Sequence, residues 1–538
     1  MITVFQSSRA FAQYEALKKR HELILWFALL ALAALVRFGP VPAGLPYISY
    51  VDEGYVLHPA MEILKARSFD STRFTYPPLT SYLTIAAAAA YGPIYRLVHH
   101  RSLRNDLPRH EDFQTALGEN YDLITPPEII WLGRGIVACL SLGVVVLAGA
   151  LGKRAGGERV GFLAMLFAAL CPALVSRGSI AIIDATAAFF VLLALYFCER
   201  LRAASHWWYA GLGGIAAGLA FGAKYTVGVV FAAVLLTIAT LAIDRKSKGL
   251  VALAAIVGLV IGIFCGVPAA VLHPAKIVNE LRTQAAFYQS IQSEQTYAGA
   301  ALSASELGIP LIIAGIAGLL WMLGKRKTRL EASTWLVFAA LLLALIIWPR
   351  FQPFRNVLSL VPFFCIGAAF FFDQIWIHFQ QRRIKIPALV AVAGLLLFTA
   401  PLAWFTGLYL KARLGHVDSR VRAVDWLRQH VSPETTVLGL RELAILPAEW
   451  QRVPAKTKVV SWFEAADLLR QERFDYLVTG EFDLRYATDA ARWKEYQERW
   501  RGLVAELPQE AEFGVVVTPV VPYLWRTNDE RIVIRKPL

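Results

Sequence analysis

Apolar and polar positions along this chain fall into blocks rather than single alternating residues. Apolar runs cover about 22–38, 131–151, 160–176, 185–199, 208–222, 225–243, 250–271, 307–323, 332–348, 356–373 and 386–408. Each is near the roughly 20 residues that carry a helix across a bilayer. Eleven crossings place Lys18-Lys19-Arg20, Lys153-Arg154, Arg200 with Arg202, Arg245-Lys246 with Lys248, Lys325-Arg326-Lys327 and Arg382-Arg383 with Lys385 on one side. Basic short loops stay cytoplasmic, so the pattern predicts a cytoplasmic N-terminus and an external C-terminal tail.

Residues 79–98 are apolar but alanine-rich, with Gly92 and Pro93 near their end. Counting them as a crossing would invert the basic loops from Lys153 onward. They are therefore read as a helix lying at or dipping into the outer face. The first external loop then runs over about 39–130, with further external loops at 177–184, 272–306 and 349–355. The tail is patterned differently. Residues 418–430, 463–473 and 488–505 predict helices, and 435–440, 457–462, 474–479 and 531–536 predict strands. The expected fold class is thus an α-helical polytopic membrane protein of about 11 transmembrane helices over 1–410. A small external α/β domain follows over 411–538.

Composition agrees. Of 538 residues, 57% are apolar and 17% charged, against about 25% charged in soluble chains. Disorder and an ordinary soluble enzyme are excluded. The net charge is +14, but the basic residues sit in short loops and no basic-aromatic module accompanies them, so no nucleic acid is expected as a partner. Lys18, Lys19 and Arg20 precede an apolar run with no small-residue cleavage site, which reads as a retained first span. Cys139, Cys171, Cys198, Cys265 and Cys365 all lie in apolar runs, without the spacing of a zinc site or a disulfide framework in the tail.

The candidate chemistry gathers on the predicted external side. Asp52 and Glu53 follow the first run and precede the amphipathic HPAMEILKA stretch that opens at His58. Such a pair can supply a general base for an acceptor hydroxyl, although adjacent carboxylates in a loop are commonly just solvated. Tyr76-Pro77-Pro78-Leu79 fixes an extended entry into a helix. Arg177 ends the third run and Asp184 begins the fourth. Ionisable groups at membrane depth usually face a cavity, while an arginine at a helix end can also snorkel. Lys224 lies between the fifth and sixth runs, and Arg350 and Arg355 flank RFQPFR. These external cations break the positive-inside trend and suit a phosphate. His273, in VLHPAK, stands beside a proline, a setting that is more often structural than ligating. The tail shows no clustered acid–base set, so no catalytic residue is expected there.

Taken in order, these pieces resemble the GT-C superfamily of integral membrane glycosyltransferases. They most resemble its branch of protein O-mannosyltransferases and lipid A aminoarabinose transferases. Asp52-Glu53 is similar to that branch's acidic pair of the first external loop. Tyr76-Pro77-Pro78-Leu79 is similar to its (H/K)PPL motif, with tyrosine in the first position. Arg134 opens the next span as the family's arginine does. Cys171-Pro172 through Ser176-Arg177 to Asp184 resembles the P…SR…D stretch, Gly218-Leu219 to Lys224 the G-L…K step, and Pro353 to Pro362 the late arginine-plus-proline segment.

The resemblance implies a polyprenyl-phosphate sugar donor and a protein, lipid or polysaccharide acceptor, with inversion at the anomeric carbon. Asp52, Glu53 and Asp184 would be the catalytic residues, with Asp52 the base. Tyr76, Pro77, Pro78, Arg177, Lys224, Arg350, Arg355, His58 and His273 would line the substrates. No cofactor is required, and a divalent metal is compatible with the family. The competing readings are a lipid-linked sugar flippase, which usually shows broken helices in paired halves, and an oligosaccharyltransferase using a diphosphate donor, which would carry a WWDYG-like signature. Neither feature is found.

Overall fold

The computed structural model describes residues 22–48, 50–67, 74–107, 125–290, 296–349, 352–383, 388–415, 417–443, 445–480, 507–514 and 531–537, with single positions 20, 500, 502 and 504 besides. Contacts divide the chain into two compact units. The first holds residues 1–41, 74–80 and 134–410, and the second holds 42–73, 81–133 and 411–538. Segments of the first loop thus cluster with the tail, where the sequence reading drew its boundary at residue 410.

The first unit is a helical bundle, and every one of the eleven apolar runs is helical in it. Several of these helices are broken, two of them beside a proline. The third run splits into Glu158–Leu170 and Pro172–Arg177, with Cys171 extended between them. Pro172 lacks an N–H and pushes the preceding residue out of the helical region. The sixth run starts as a 3-10 turn, Tyr225–Val229, and only then becomes the helix Val230–Ala239. The tenth starts likewise with Phe354–Leu360 before Val361–Gln381.

Among the described residues five helical stretches are long and apolar enough to cross a membrane: Pro127–Gly156, Arg245–Gly266, Arg329–Ile346, Phe354–Gln381 and Leu389–His430. The 21-residue helix Leu79–His99 is not among them. The outer faces match that setting, since Leu253, Val257, Val260 and Phe264 are each about half exposed along one helix.

Association between helices in lipid depends on close packing rather than on the hydrophobic effect, and one seam shows how the sequence provides it. Trp207–Ala223 and Arg245–Gly266 meet through glycines. A Cβ on Gly214 would lie 2.1 Å from the Ala255 carbonyl oxygen, and one on Gly218 2.4 Å from that of Leu259. A Cβ on Gly222 would lie 2.6 Å from the Cα of Gly266. Gly318 stands equally close to Gly367 between Ile309–Gly324 and Val361–Gln381.

Polar side chains close the gaps left by broken helices. Arg37, wholly buried, donates to the carbonyls of Ala168 and Ala169 at 3.0 and 3.2 Å, and Thr406 Oγ1 donates to that of Leu170 at 2.9 Å. These are carbonyls that the break before Pro172 would otherwise leave without partners.

The second unit contains a five-stranded sheet, ordered β2-β1-β3-β5-β4. The strands are β1 Thr436–Leu440, β2 Lys456–Val460, β3 Tyr476–Gly480, β4 Gln509–Phe513 and β5 Ile532–Arg535. β1 pairs parallel with β2 and β3, while β5 pairs antiparallel with β3 and β4. The helices Ser419–His430 and Trp462–Gln471 cover it, burying Ala423, Val424, Leu427 and Ala465 against Val437, Leu438, Leu477, Ile532 and Ile534. The predicted elements at 418–430, 435–440, 457–462, 463–473, 474–479 and 531–536 are present. β4 was not foreseen, because QEAEF carries no β-branched residue and only one large apolar side chain, Phe513. Most of the predicted helix at 488–505 lies outside the described residues.

Candidate active site

In the first unit the predicted charges meet at helix ends. Asp184 lies in the first turn of Ile183–Ala204 and is buried. Lys224 is extended where Trp207–Ala223 stops. Its ammonium donates to Asp184 Oδ1 at 2.7 Å, to Asn356 Oδ1 at 2.9 Å and to the Arg355 carbonyl at 3.5 Å. Asn356 Nδ2 in turn donates to the Tyr297 hydroxyl at 3.2 Å, and that hydroxyl donates to the Ile346 carbonyl at 3.2 Å. One cation therefore ties together the starts of three segments that are distant in sequence.

Arg177 is 1% exposed, so it does not snorkel. Its two terminal nitrogens meet the carboxylate of Glu306 at 2.6 and 2.7 Å, a fork-to-fork pair, and its guanidinium lies 5.3 Å from the Phe354 ring centroid. The Glu306 carbonyl also accepts from the Ala173 N–H at 3.3 Å. This pair and the Lys224 network both grip the 3-10 segment Phe354–Leu360, at Phe354 and at Asn356.

Tyr76 is half-buried, and Pro77 and Pro78 are buried, leading directly into Leu79–His99. Thr80 Oγ1 donates to Thr186 Oγ1 at 3.1 Å, joining this motif to the turn that carries Asp184. Just upstream, the Lys276 ammonium sits 4.8 Å from the Phe74 ring centroid and Thr75 Oγ1 donates to Glu280 at 3.3 Å. Both partners belong to Pro274–Ser290, a helix within the predicted 272–306 loop. His273 is exposed, between Ala269–Leu272 and that helix. Arg355 is half-buried and contributes its carbonyl to Lys224, while Arg350 lies outside the described residues.

In the second unit Asp52 and Glu53 form the 3-10 turn Val51–Glu53 that opens the helix Gly54–Ala66. They are not a solvated pair: Asp52 is 8% and Glu53 0% exposed. Glu53 Oε2 accepts from the Tyr50 N–H at 3.2 Å, and the Glu53 N–H donates to the Tyr50 carbonyl at 2.9 Å. His58, one turn on and buried, has Nε2 3.2 Å from Thr125 Oγ1. Ser81 Oγ donates to the Val56 carbonyl at 2.8 Å.

Sequence reasoning missed Glu306, Asn356, Tyr297 and Phe354. Glu306 left a signal, as a lone acid just before an apolar run on the side where Arg177 needed an anion. Asn356 left none. Among the described residues, no three His, Cys, Asp or Glu side chains gather to hold a metal.

Residues 117–279 match the family model of dolichyl-phosphate-mannose-protein mannosyltransferases. That stretch contains Arg134, Arg177, Asp184 and Lys224 but neither Asp52 nor Asn356. No curated protein matches the sequence. Among solved structures, the chain is similar to ArnT from Cupriavidus metallidurans bound to undecaprenyl phosphate, with 15% identity and a TM-score of 0.55 over 95% of this chain and 98% of that one. It is similar to the same protein in the apo state at 16% identity and TM-score 0.52, with the same coverage. It is also similar to the apo oligosaccharyltransferase of Archaeoglobus fulgidus, at 12% identity and TM-score 0.50, over 84% of this chain and 69% of that one. The fold is the one these solved transferase structures have. Within that fold, residues 117–279 carry the similarity to dolichyl-phosphate-mannose-protein mannosyltransferases.

Proposed function

We propose that this chain is a membrane glycosyltransferase that moves a sugar from a polyprenyl-phosphate donor to an acceptor hydroxyl at the extracytoplasmic face, inverting the anomeric centre. Asp52 accepts the proton as the hydroxyl oxygen bonds to the anomeric carbon. The bond from that carbon to the phosphate oxygen breaks, and polyprenyl phosphate leaves as an anion, needing little acid assistance. Glu53 lies beside Asp52 in the same turn. Lys224 holds the donor phosphate, with Arg355 and Arg350 assisting and Asp184 setting the ammonium's position. The acceptor is a lipid, a polysaccharide or a protein.

The observation that carries this reading is the burial of two adjacent carboxylates at the head of one helix. Burying a charge is costly, and such pairs concentrate where proton transfer is done.

Purified protein incubated with radiolabelled polyprenyl-phosphate sugars and membrane extract should transfer label. Asp52→Asn keeps the shape and removes the base, so kcat should fall by about 10²–10⁴-fold with donor binding kept. Near wild-type turnover in Asp52→Asn, with loss in Asp184→Asn, would move the base elsewhere. The proposed chemistry uses protein side chains alone, so EDTA should leave turnover unchanged.

A further inference from the structure

Five residues before Asp52 the first loop is gripped by the tail, within the second unit. Tyr47 is 4% exposed. The Arg420 guanidinium carbon lies 3.8 Å from its ring centroid, and its hydroxyl accepts from the Leu446 N–H at 3.3 Å. Arg420 is itself locked. Asp418 caps the helix Ser419–His430 by accepting from the Arg420 N–H at 2.9 Å, and its two carboxylate oxygens take Arg420 Nε and Nη2 at 2.8 Å each. Both side chains are 3% exposed. A planar guanidinium held by a bidentate carboxylate presents one fixed face, which is where the tyrosine stacks.

The grip and the carboxylates each sit in tight turns: hydrogen bonds from Leu45 N–H to the Pro42 carbonyl and Tyr47 N–H to that of Gly44 lead up to Tyr47, and one from Glu53 N–H to that of Tyr50 closes the turn at Asp52. Tyr47 stays protonated there, since burial pushes its hydroxyl up to about 12.

We infer that Asp418, Arg420 and Tyr47 are positioning residues: through them the soluble tail sets where the Asp52–Glu53 turn sits. The inference rests on the glycosyl-transfer reading only for its catalytic consequence. It assigns the tail no reacting group, as the sequence reading expected, but gives Asp418 a positioning part. Displacing a catalytic group by about 1 Å can cost on the order of 10²-fold in rate.

The test uses the full chain in lipid nanodiscs with Tyr47→Ala, Tyr47→Phe and Arg420→Ala. Hydrogen exchange of peptides over 50–60 should rise at least tenfold in Tyr47→Ala and Arg420→Ala. Peptides over 183–200 should be unchanged. Tyr47→Phe keeps the ring and should stay near wild type. kcat should fall about 10–100-fold in the two alanine variants, with donor KM within twofold, and recover in Tyr47→Phe. Unchanged exchange over 50–60 overturns the inference. So does faster exchange with kcat intact while Asp52→Asn abolishes turnover. If Arg420→Ala fails to fold, Arg420→Lys takes its place, keeping the charge and losing the fork. If Asp52→Asn leaves turnover intact, the catalytic reading fails by itself, and the exchange result alone decides whether the grip holds the turn.

Discussion

Replacing Lys224 by Met and Asp184 by Asn should move donor affinity in opposite directions. Lys224 Nζ is engaged by Asp184 at 2.7 Å, with the Asp184 side chain 2% and the Lys224 side chain 13% exposed. A phosphate reaching the ammonium must share it with that carboxylate. A hydrogen bond to a charged group contributes about 1.5–3 kcal/mol, and about 1.4 kcal/mol is tenfold in affinity. Lys224→Met should therefore weaken polyprenyl-phosphate binding by about 10–100-fold. Asp184→Asn leaves the ammonium with neutral acceptors only, the introduced amide oxygen, Asn356 Oδ1 and the Arg355 carbonyl. Its charge is then available to the phosphate, and binding should tighten by up to about tenfold, within the range a single charged contact spans. Both variants should lose stability, about 3–5 kcal/mol for breaking a buried pair. Binding is therefore to be titrated by tryptophan fluorescence well below each variant's melting temperature. Parallel weakening in both variants, or unchanged affinity in Lys224→Met, would refute the phosphate assignment.

Gly218→Val should destabilise the bundle by about 1–3 kcal/mol or more, because its Cβ would press on the backbone at Leu259 and Ile263. Gly211→Ala, whose Cβ would have ordinary contact with the Ala254 carbonyl, should not; melting in detergent compares the two. Glu512 is held at about 2 by hydrogen bonds from Arg531 and then Gln509. A carboxyl depressed in the fold stabilises it above its unfolded pKa, and that contribution is lost as pH falls toward the folded value. Exchange over 509–513 should hence accelerate between about pH 4.5 and 2, and Glu512→Gln should flatten that dependence. Cysteines introduced at Ser102 and Glu434 should react with impermeant maleimide from outside the cell, and one at Arg326 only after permeabilisation. Labelling of Ser102→Cys from the cytoplasm would make Leu79–His99 a crossing and break the eleven-span register.

The helical runs were legible because a bilayer demands an unbroken apolar stretch, and length alone identifies one. Where each helix breaks was partly legible, since Pro172 and Pro362 mark two of the breaks, yet the 3-10 start at Tyr225–Val229 carries no proline. The candidate charged residues stood out because an apolar background isolates them, but the pairing of Asp184 with Lys224 was not foreseen. Asn356 and Tyr297 carry no charge and left no such contrast. The tail's parallel strands were readable from alternation. Its grip on Tyr47 was not, because the residues lie more than 370 positions apart and only folding brings them together.

The glycine seam between Trp207–Ala223 and Arg245–Gly266 has a mechanical consequence. Where backbones touch without intervening side chains, there are no rotamers to rearrange and no ridge to slide over. The two helices behave as one plank, and Lys224 is fixed to its end. Any relative movement at that end would then be taken up beyond the plank, in the short turns Tyr225–Val229 and Ala269–Leu272 and in the segment carrying Asn356.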